Sequence, residues 1–274
     1  MGDLQTEACA HFGVVAVRAL KAGGQKSVAL VDRAGERLVL KLVQVGASEP
    51  TALERAQREF DLLAATRHPN IVEVASELAL FGSPVDGAAW LEEYLDGADL
   101  SDRVGVPWTW SDVAALGLGI AAGISALHRQ GVVRRDLSAN NIRVLSNGRY
   151  KIMDPGFARH TLRSGITVGG QPGTRGFMTP EHLHAFSGPT PASDVFATGA
   201  LLYLAATGDV PIPWRGDDRE YAARLSVGAT VPISSVRPDT PHELGAVIMR
   251  ALHPQPARRY RNGEYLRAAL EAAR

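Results

Sequence analysis

Residues 134–142 read RRDLSANNI, and residues 151–157 read KIMDPGF. Asp136 precedes Asn141 by five positions, and Asp154 follows after a short apolar segment. Two carboxylates and an amide on short loops between apolar strands can gather oxygen ligands for a hard divalent cation beside a general base. Toward the N-terminus, Lys41 lies within LVLKLV at 38–43, where a buried ammonium needs a partner. Glu59, in the next helical segment, is the natural candidate.

Outward from these residues the chain changes character once. Val14–Leu20, Val28–Val31 and Leu38–Val45 are apolar runs separated by KAGGQKS and DRAGE, which predicts an antiparallel meander over the first ~45 residues. Leu53, Ala56, Phe60 and Leu63 then recur at helical spacing until His68-Pro69-Asn70 stops the helix. Ile71–Leu80 and Ala88–Tyr94 suggest further strands. From Leu100 the pattern is mainly helical, which places a hinge near Asp96-Gly97. Ala114–Leu127 and Val195–Gly208 are the longest uncharged apolar runs, shorter than a membrane span requires, and read as core helices.

Composition narrows the function classes. Lys+Arg and Asp+Glu both number 29 and the isoelectric point is near 7.1, so no basic footprint for nucleic acid exists. The lone Cys9 cannot form an internal disulfide, which fits a reducing, cytoplasmic setting. The first residues, MGDLQTEACAHFG, lack the basic-then-apolar pattern of a secretion signal.

Taken in order, the motifs resemble the protein kinase family. LVLK resembles its strand-borne lysine motif, and REFDLLAATRHPNIV at 58–72 the helix whose glutamate pairs with that lysine. EEYLDGADL at 92–100 looks like the hinge, RRDLSANN the catalytic loop, and DPG the metal-binding triplet. GTRGFMTPE at 173–181 resembles the end of the activation segment, SDVFATGALLYLAATG the buried helix carrying an aspartate, and ALHPQPARRY the closing arginine segment. The resemblance implies an α+β bilobal kinase fold across residues 1–274, with a sheet-rich N-lobe over about 12–95 and a helical C-lobe over about 96–274.

The family's phosphoryl-transfer chemistry then assigns roles. Lys41 would hold the α- and β-phosphates of ATP, braced by Glu59. Asn141 and Asp154 would bind Mg2+, and Asp136 would orient the attacking hydroxyl and accept its proton. Gly23 and Lys26 would face the phosphates, Val28 and Val39 the adenine, the backbone of Glu93 to Leu95 its edge, and Asp99 the ribose. Glu181 with Arg259, and Asp194 below the catalytic loop, would be structural. Thr174 points to Ser or Thr hydroxyls on a protein substrate. Arg135 would receive a phosphate added by autophosphorylation at Thr161, Ser164 or Thr167. The compact, Ala/Arg-rich chain with short loops suggests a bacterial, eukaryotic-like kinase.

Several positions depart from the pattern. KAGGQKS keeps only Gly23 at an expected glycine position, so Lys26 either supplies charge to the phosphates or is a solvated loop lysine. Ser138 stands where a lysine commonly contacts the γ-phosphate. Pro155 and Arg134 replace the usual phenylalanine and histidine. Glu92 occupies the position at the back of the adenine pocket, and Arg143 replaces its apolar floor, either stacking on the base or turning away. These departures suit a pseudokinase, a nucleotide- or protein-binding regulatory module, as the alternative reading. A small-molecule kinase is the third, which the TPE ending and Arg259 disfavour.

Overall fold

Nearly continuous apolar runs at 28–31, 38–43 and 88–91 build a sheet buried on both faces in the first part of the molecule. The structure is a computed structural model describing residues 2–20, 26–44, 52–82, 85–134, 136–153, 176–183, 190–228 and 230–274. It divides into two units, Met1–Asp96 and Gly97–Arg274.

The first unit holds helix α1 (Gly2–Phe12), strands β1 (Val15–Ala19), β2 (Lys26–Arg33) and β3 (Glu36–Gln44), helix α2 (Ala52–Ala65), and strands β4 (Ala79–Phe81) and β5 (Gly87–Glu93). Its antiparallel sheet runs β1-β2-β3-β5-β4. Ala34 and Gly35, with φ of 53° and 92°, close the β2–β3 hairpin, and Asp32 Oδ1 accepts the Gly35 N–H at 2.9 Å. This is the two-residue turn that matches strand twist.

Cross-strand partners share a face. Register pairs Val28 with Lys41, Leu30 with Val39, Lys41 with Trp90 and Val39 with Glu92. On that face Val43, Ala88 and Trp90 pack against Ala52 and Ala56 of α2. The opposite face, with Val31, Leu38, Leu40, Leu42 and Leu91, is covered by Leu4 and Ala8 of α1. The strand-and-turn reading of the N-terminus is therefore corrected: residues 2–12 are helical, because a sheet apolar on both faces needs a second cover. Only β4 forms within the apolar stretch 71–80; Val74 makes an isolated bridge to Glu92.

The second unit contains β6 (Gly97–Asp99), α3 (Trp110–Arg129), β7 (Ile142–Leu145), β8 (Tyr150–Ile152), α4 (Pro191–Thr207), α5 (Asp218–Val227), α6 (Ile233–Val236), α7 (His242–Ala251) and α8 (Gly263–Ala272). Strands β6, β7 and β8 form a small antiparallel sheet. Helix α4 is apolar on every side and buried along almost its whole length, as the central helix of a core is expected to be. Its start is set by Pro191 at N1 and by a Thr190–Ser193 capping box. Helix α3 is long and apolar enough by length and composition to cross a membrane, yet most of it is buried in this unit's core. Both apolar runs are thus core helices. Where α8 meets α3, a Cβ on Gly263 would lie 2.6 Å from the backbone nitrogen of Ser125, so only glycine permits that crossing.

Candidate active site

In the sheet unit, alternation along β2, β3 and β5 delivers Lys26, Val28, Val39, Lys41, Trp90 and Glu92 to the face that carries α2. Lys41 is 4% exposed, Glu59 of α2 5% and Glu92 3%. Lys41 Nζ lies 3.1 Å from Glu92 Oε1 and 3.9 Å from Glu59 Oε1. Lys26 Nζ donates to Glu59 Oε2. Trp90 Nε1 donates to the same Glu92 oxygen at 2.9 Å. The expected Lys41–Glu59 pair is present at the outer limit of an ion pair, and Glu92 is the nearer partner. The solvated-loop reading of Lys26 is corrected: it opens β2 and its ammonium is bound to Glu59, because the sheet register aims it at α2. The sequence marks Glu92 by its position at the back of the adenine pocket; its pairing with Lys41 emerges only in the structure. The signal was the two-residue spacing of Trp90 and Glu92, which puts both on the lysine's face.

Beyond β5, Leu95 is buried. Glu93 is tied to Glu73 twice: its N–H donates to the Glu73 carbonyl at 3.0 Å, and its Oε1 accepts the Glu73 N–H at 2.9 Å. This fixes the direction of the chain as it leaves the strand.

In the helical unit, residues 136–141 form a loop ending in a 3-10 turn over Ala139–Asn141. Asn141 Nδ2 donates to the Asp136 carbonyl at 3.0 Å, and the Met153 N–H donates to the Asn141 carbonyl at 2.8 Å. Asp136, Asn141 and the residue before Asp154 therefore share one hydrogen-bonded frame. Because the Asn141 amide nitrogen is engaged, its Oδ1 is the atom left to face a cation, and a hard ion such as Mg2+ requires an oxygen there. Among the described residues, no group of three or more His, Cys, Asp or Glu side chains could hold a metal. The expected set uses an amide and Asp154, which lies outside the described residues. Gly23, Arg135, Pro155, Thr161, Ser164, Thr167 and Thr174 lie outside them as well.

Arg134 holds this loop from beneath. Its N–H donates to Asp194 Oδ2 at 2.9 Å, and its Nη1 donates to the Met153 carbonyl at 2.7 Å. His128 Nδ1 accepts the Gly263 N–H at 3.0 Å, so the ring hydrogen sits on Nε2, which reaches Asp194 Oδ2 at 2.9 Å. Sequence reasoning assigned no role to His128. Asp194 braces the loop as expected. Ser138 is 2% exposed and offers no cation.

Arg143 Nη1 lies 2.7 Å from Asp99 Oδ1, its cross-strand neighbour. Glu181 and Arg259 make the expected buried pair in bidentate form, at 2.7 and 2.8 Å. Burial pushes the Glu181 carboxyl up, but the hydrogen bonds and charge of Arg259, helped by Ser193, outweigh it and leave the carboxyl below its ordinary range.

Residues 20–268 match the family described as Protein kinase domain. The chain belongs to the protein kinase domain family. Among curated relatives, the serine/threonine-protein kinase Pkn1 of Myxococcus xanthus is 31% identical, covering 97% of this chain and 38% of its own length. PknB of Mycolicibacterium smegmatis is 32% identical, covering 82% of this chain and 36% of its own length. The chain thus spans little more than a third of these curated relatives. In fold it is similar to the kinase domain of Mycobacterium tuberculosis PknI, with a TM-score of 0.67 at 23% identity over 95% of each chain. An antiparallel-sheet unit followed by a helical unit is the bilobal protein kinase fold.

Proposed function

We propose that residues 1–274 form one kinase domain that transfers the γ-phosphate of ATP to Ser or Thr hydroxyls of a protein substrate. The observation that carries this reading is the loop frame in which Asn141 binds the Asp136 carbonyl and receives the Met153 N–H. It ties the candidate base, one oxygen ligand and the approach to Asp154 into one rigid piece. The family and its relatives named serine/threonine-protein kinases support the same reading.

In this reading Asp136 orients the substrate hydroxyl and accepts its proton as the oxygen attacks phosphorus. Lys41 holds the α- and β-phosphates, while Val28 and Val39 contact the adenine. Asn141 and Asp154 hold magnesium, which when bound neutralises charge on the phosphates. With Ser138 buried in place of a lysine, the γ-phosphate lacks one cation, so turnover is slow. Arg135 receives a phosphate placed by the domain on Thr161, Ser164 or Thr167. A cytosolic setting suits ATP as donor and Cys9 as a free thiol.

The test is incubation with radiolabelled ATP, magnesium and a generic basic protein substrate, beside Asp136→Asn and Asp154→Ala. Label on protein that both substitutions remove is the expected result. Absence of label, with a nucleotide-induced melting shift that needs no magnesium, would make the chain a binding module instead.

A further inference from the structure

Charges of the sheet unit form a chain, Lys26–Glu59–Lys41–Glu92, in which all but the partly exposed Lys26 are buried, with equal numbers of cations and anions. Its links are unequal. Lys41 Nζ is within hydrogen-bond reach of Glu92 Oε1 at 3.1 Å, whereas at 3.9 Å from Glu59 Oε1 it is not. Glu59 Oε1 is buried with no hydrogen-bond partner, and the other carboxylate oxygen is taken by Lys26. Glu92 is also held from its own strand by the Trp90 indole N–H at 2.9 Å. Trp90 is fully buried and packs edge-on against Phe60 of α2.

We propose that Glu92 is a positioning residue for Lys41: a carboxylate that holds its ammonium in place more closely than Glu59 does, with Glu59 retained mainly by Lys26. This rests on the reading that Lys41 binds ATP phosphates. The physical reason lies in where the two acids are mounted. Lys41 and Glu92 stand on adjacent strands, β3 and β5, whose separation is set by the backbone ladder. Glu59 stands on α2, which packs on the sheet through side chains and shares no strand ladder with it, so its distance to Lys41 changes with every small shift of α2. A lysine held within the sheet keeps its place through such shifts. The orphaned Glu59 oxygen is then the second seat toward which Lys41 can lean.

The proposal is tested on the whole 274-residue chain with Glu92→Gln, Glu59→Gln, Lys41→Met and the two double variants that include Lys41→Met. Urea unfolding should give a Lys41–Glu92 coupling of roughly tenfold in the unfolding equilibrium constant, larger than the Lys41–Glu59 coupling. Steady-state kinetics should give a KM for MgATP raised about tenfold by Glu92→Gln, with a smaller change in kcat, and raised less by Glu59→Gln. If Glu92→Gln does not fold, Trp90→Phe loosens Glu92 without removing its charge and should raise KM about threefold, with a lowered melting temperature because it also removes buried volume and a buried donor. Additive unfolding effects for Lys41 and Glu92, or an unaltered KM in whichever variant folds, overturn the assignment. Should the wild-type chain transfer no phosphate, the functional reading fails by itself, and the unfolding cycle still decides what holds Lys41.

Discussion

The two units bury charge in opposite ways. In the helical unit Arg259 spends all five guanidinium N–H groups: two on Glu181, and one each on the carbonyls of Ala192, Pro254 and His253. Glu181 is further bound by Ser193, whose Oγ also caps α4. In the sheet unit, by contrast, Glu59 keeps a buried oxygen with no partner, and its link to Lys41 is stretched to 3.9 Å. A fully satisfied pair has nothing to gain from moving and serves as a fixture. The incompletely satisfied Glu59 carboxylate retains capacity to accept one more hydrogen bond. Satisfaction of hydrogen bonds, and not burial, is what separates the Arg259–Glu181 pair from the Lys41–Glu59 pair.

The sharpest break of the comparison is at the reacting loop. Asp136→Asn should lower the transfer rate by about 10²–10⁴-fold, measured with radiolabelled ATP, while leaving the melting temperature near that of the parent chain. Arg259→Met should do the reverse. By leaving Glu181 buried without its cation, it should cost about 3–5 kcal/mol in urea unfolding. A loss below about 1 kcal/mol there would mean that the five hydrogen bonds are not the fixture they look like.

The same pair sharpens the contrast through pH. The folded Glu181 carboxyl titrates below the ordinary glutamate range. Its contribution is therefore fully present above the unfolded value and is lost as pH falls through the lower, folded one. Thermal unfolding between neutrality and strongly acidic pH should show this loss in the parent chain and a shallower decline in Arg259→Met. In the sheet unit, Lys26→Ala takes from the buried Glu59 carboxylate its hydrogen-bonded cation; because Lys26 is itself partly exposed, the cost should be about 1–3 kcal/mol, less than that of Arg259→Met. Least of all, Glu271→Ala breaks the exposed Arg267–Glu271 pair of α8. It should change urea stability by less than about 0.5 kcal/mol.

Much of this was legible before any coordinates. The meander of β2 and β3, helix α2, the two apolar helices α3 and α4 and the change of character at Asp96-Gly97 all follow from periodicity and turn residues. Asp136, Asn141, Lys41, Glu59, Glu181 and Arg259 could be named because each sits in a stretch with a recognisable order. Helix α1 was missed because its sequence, GDLQTEACAHF, is weakly amphipathic and becomes a cover only against the apolar back of the sheet. His128 was missed because nothing near it in the chain announces Asp194 or Gly263.

By itself, then, the amino-acid order determined most of the elements and which residues are candidates for phosphoryl transfer, since periodicity, capping and motif spacing are local properties of the chain. The tertiary structure decided the partners. It set Glu92 against Lys41, Lys26 against Glu59 and Arg143 against Asp99, because ion pairing depends on distances of a few ångströms between strands and helices far apart in sequence. No local pattern encodes such distances; strand register and helix packing do.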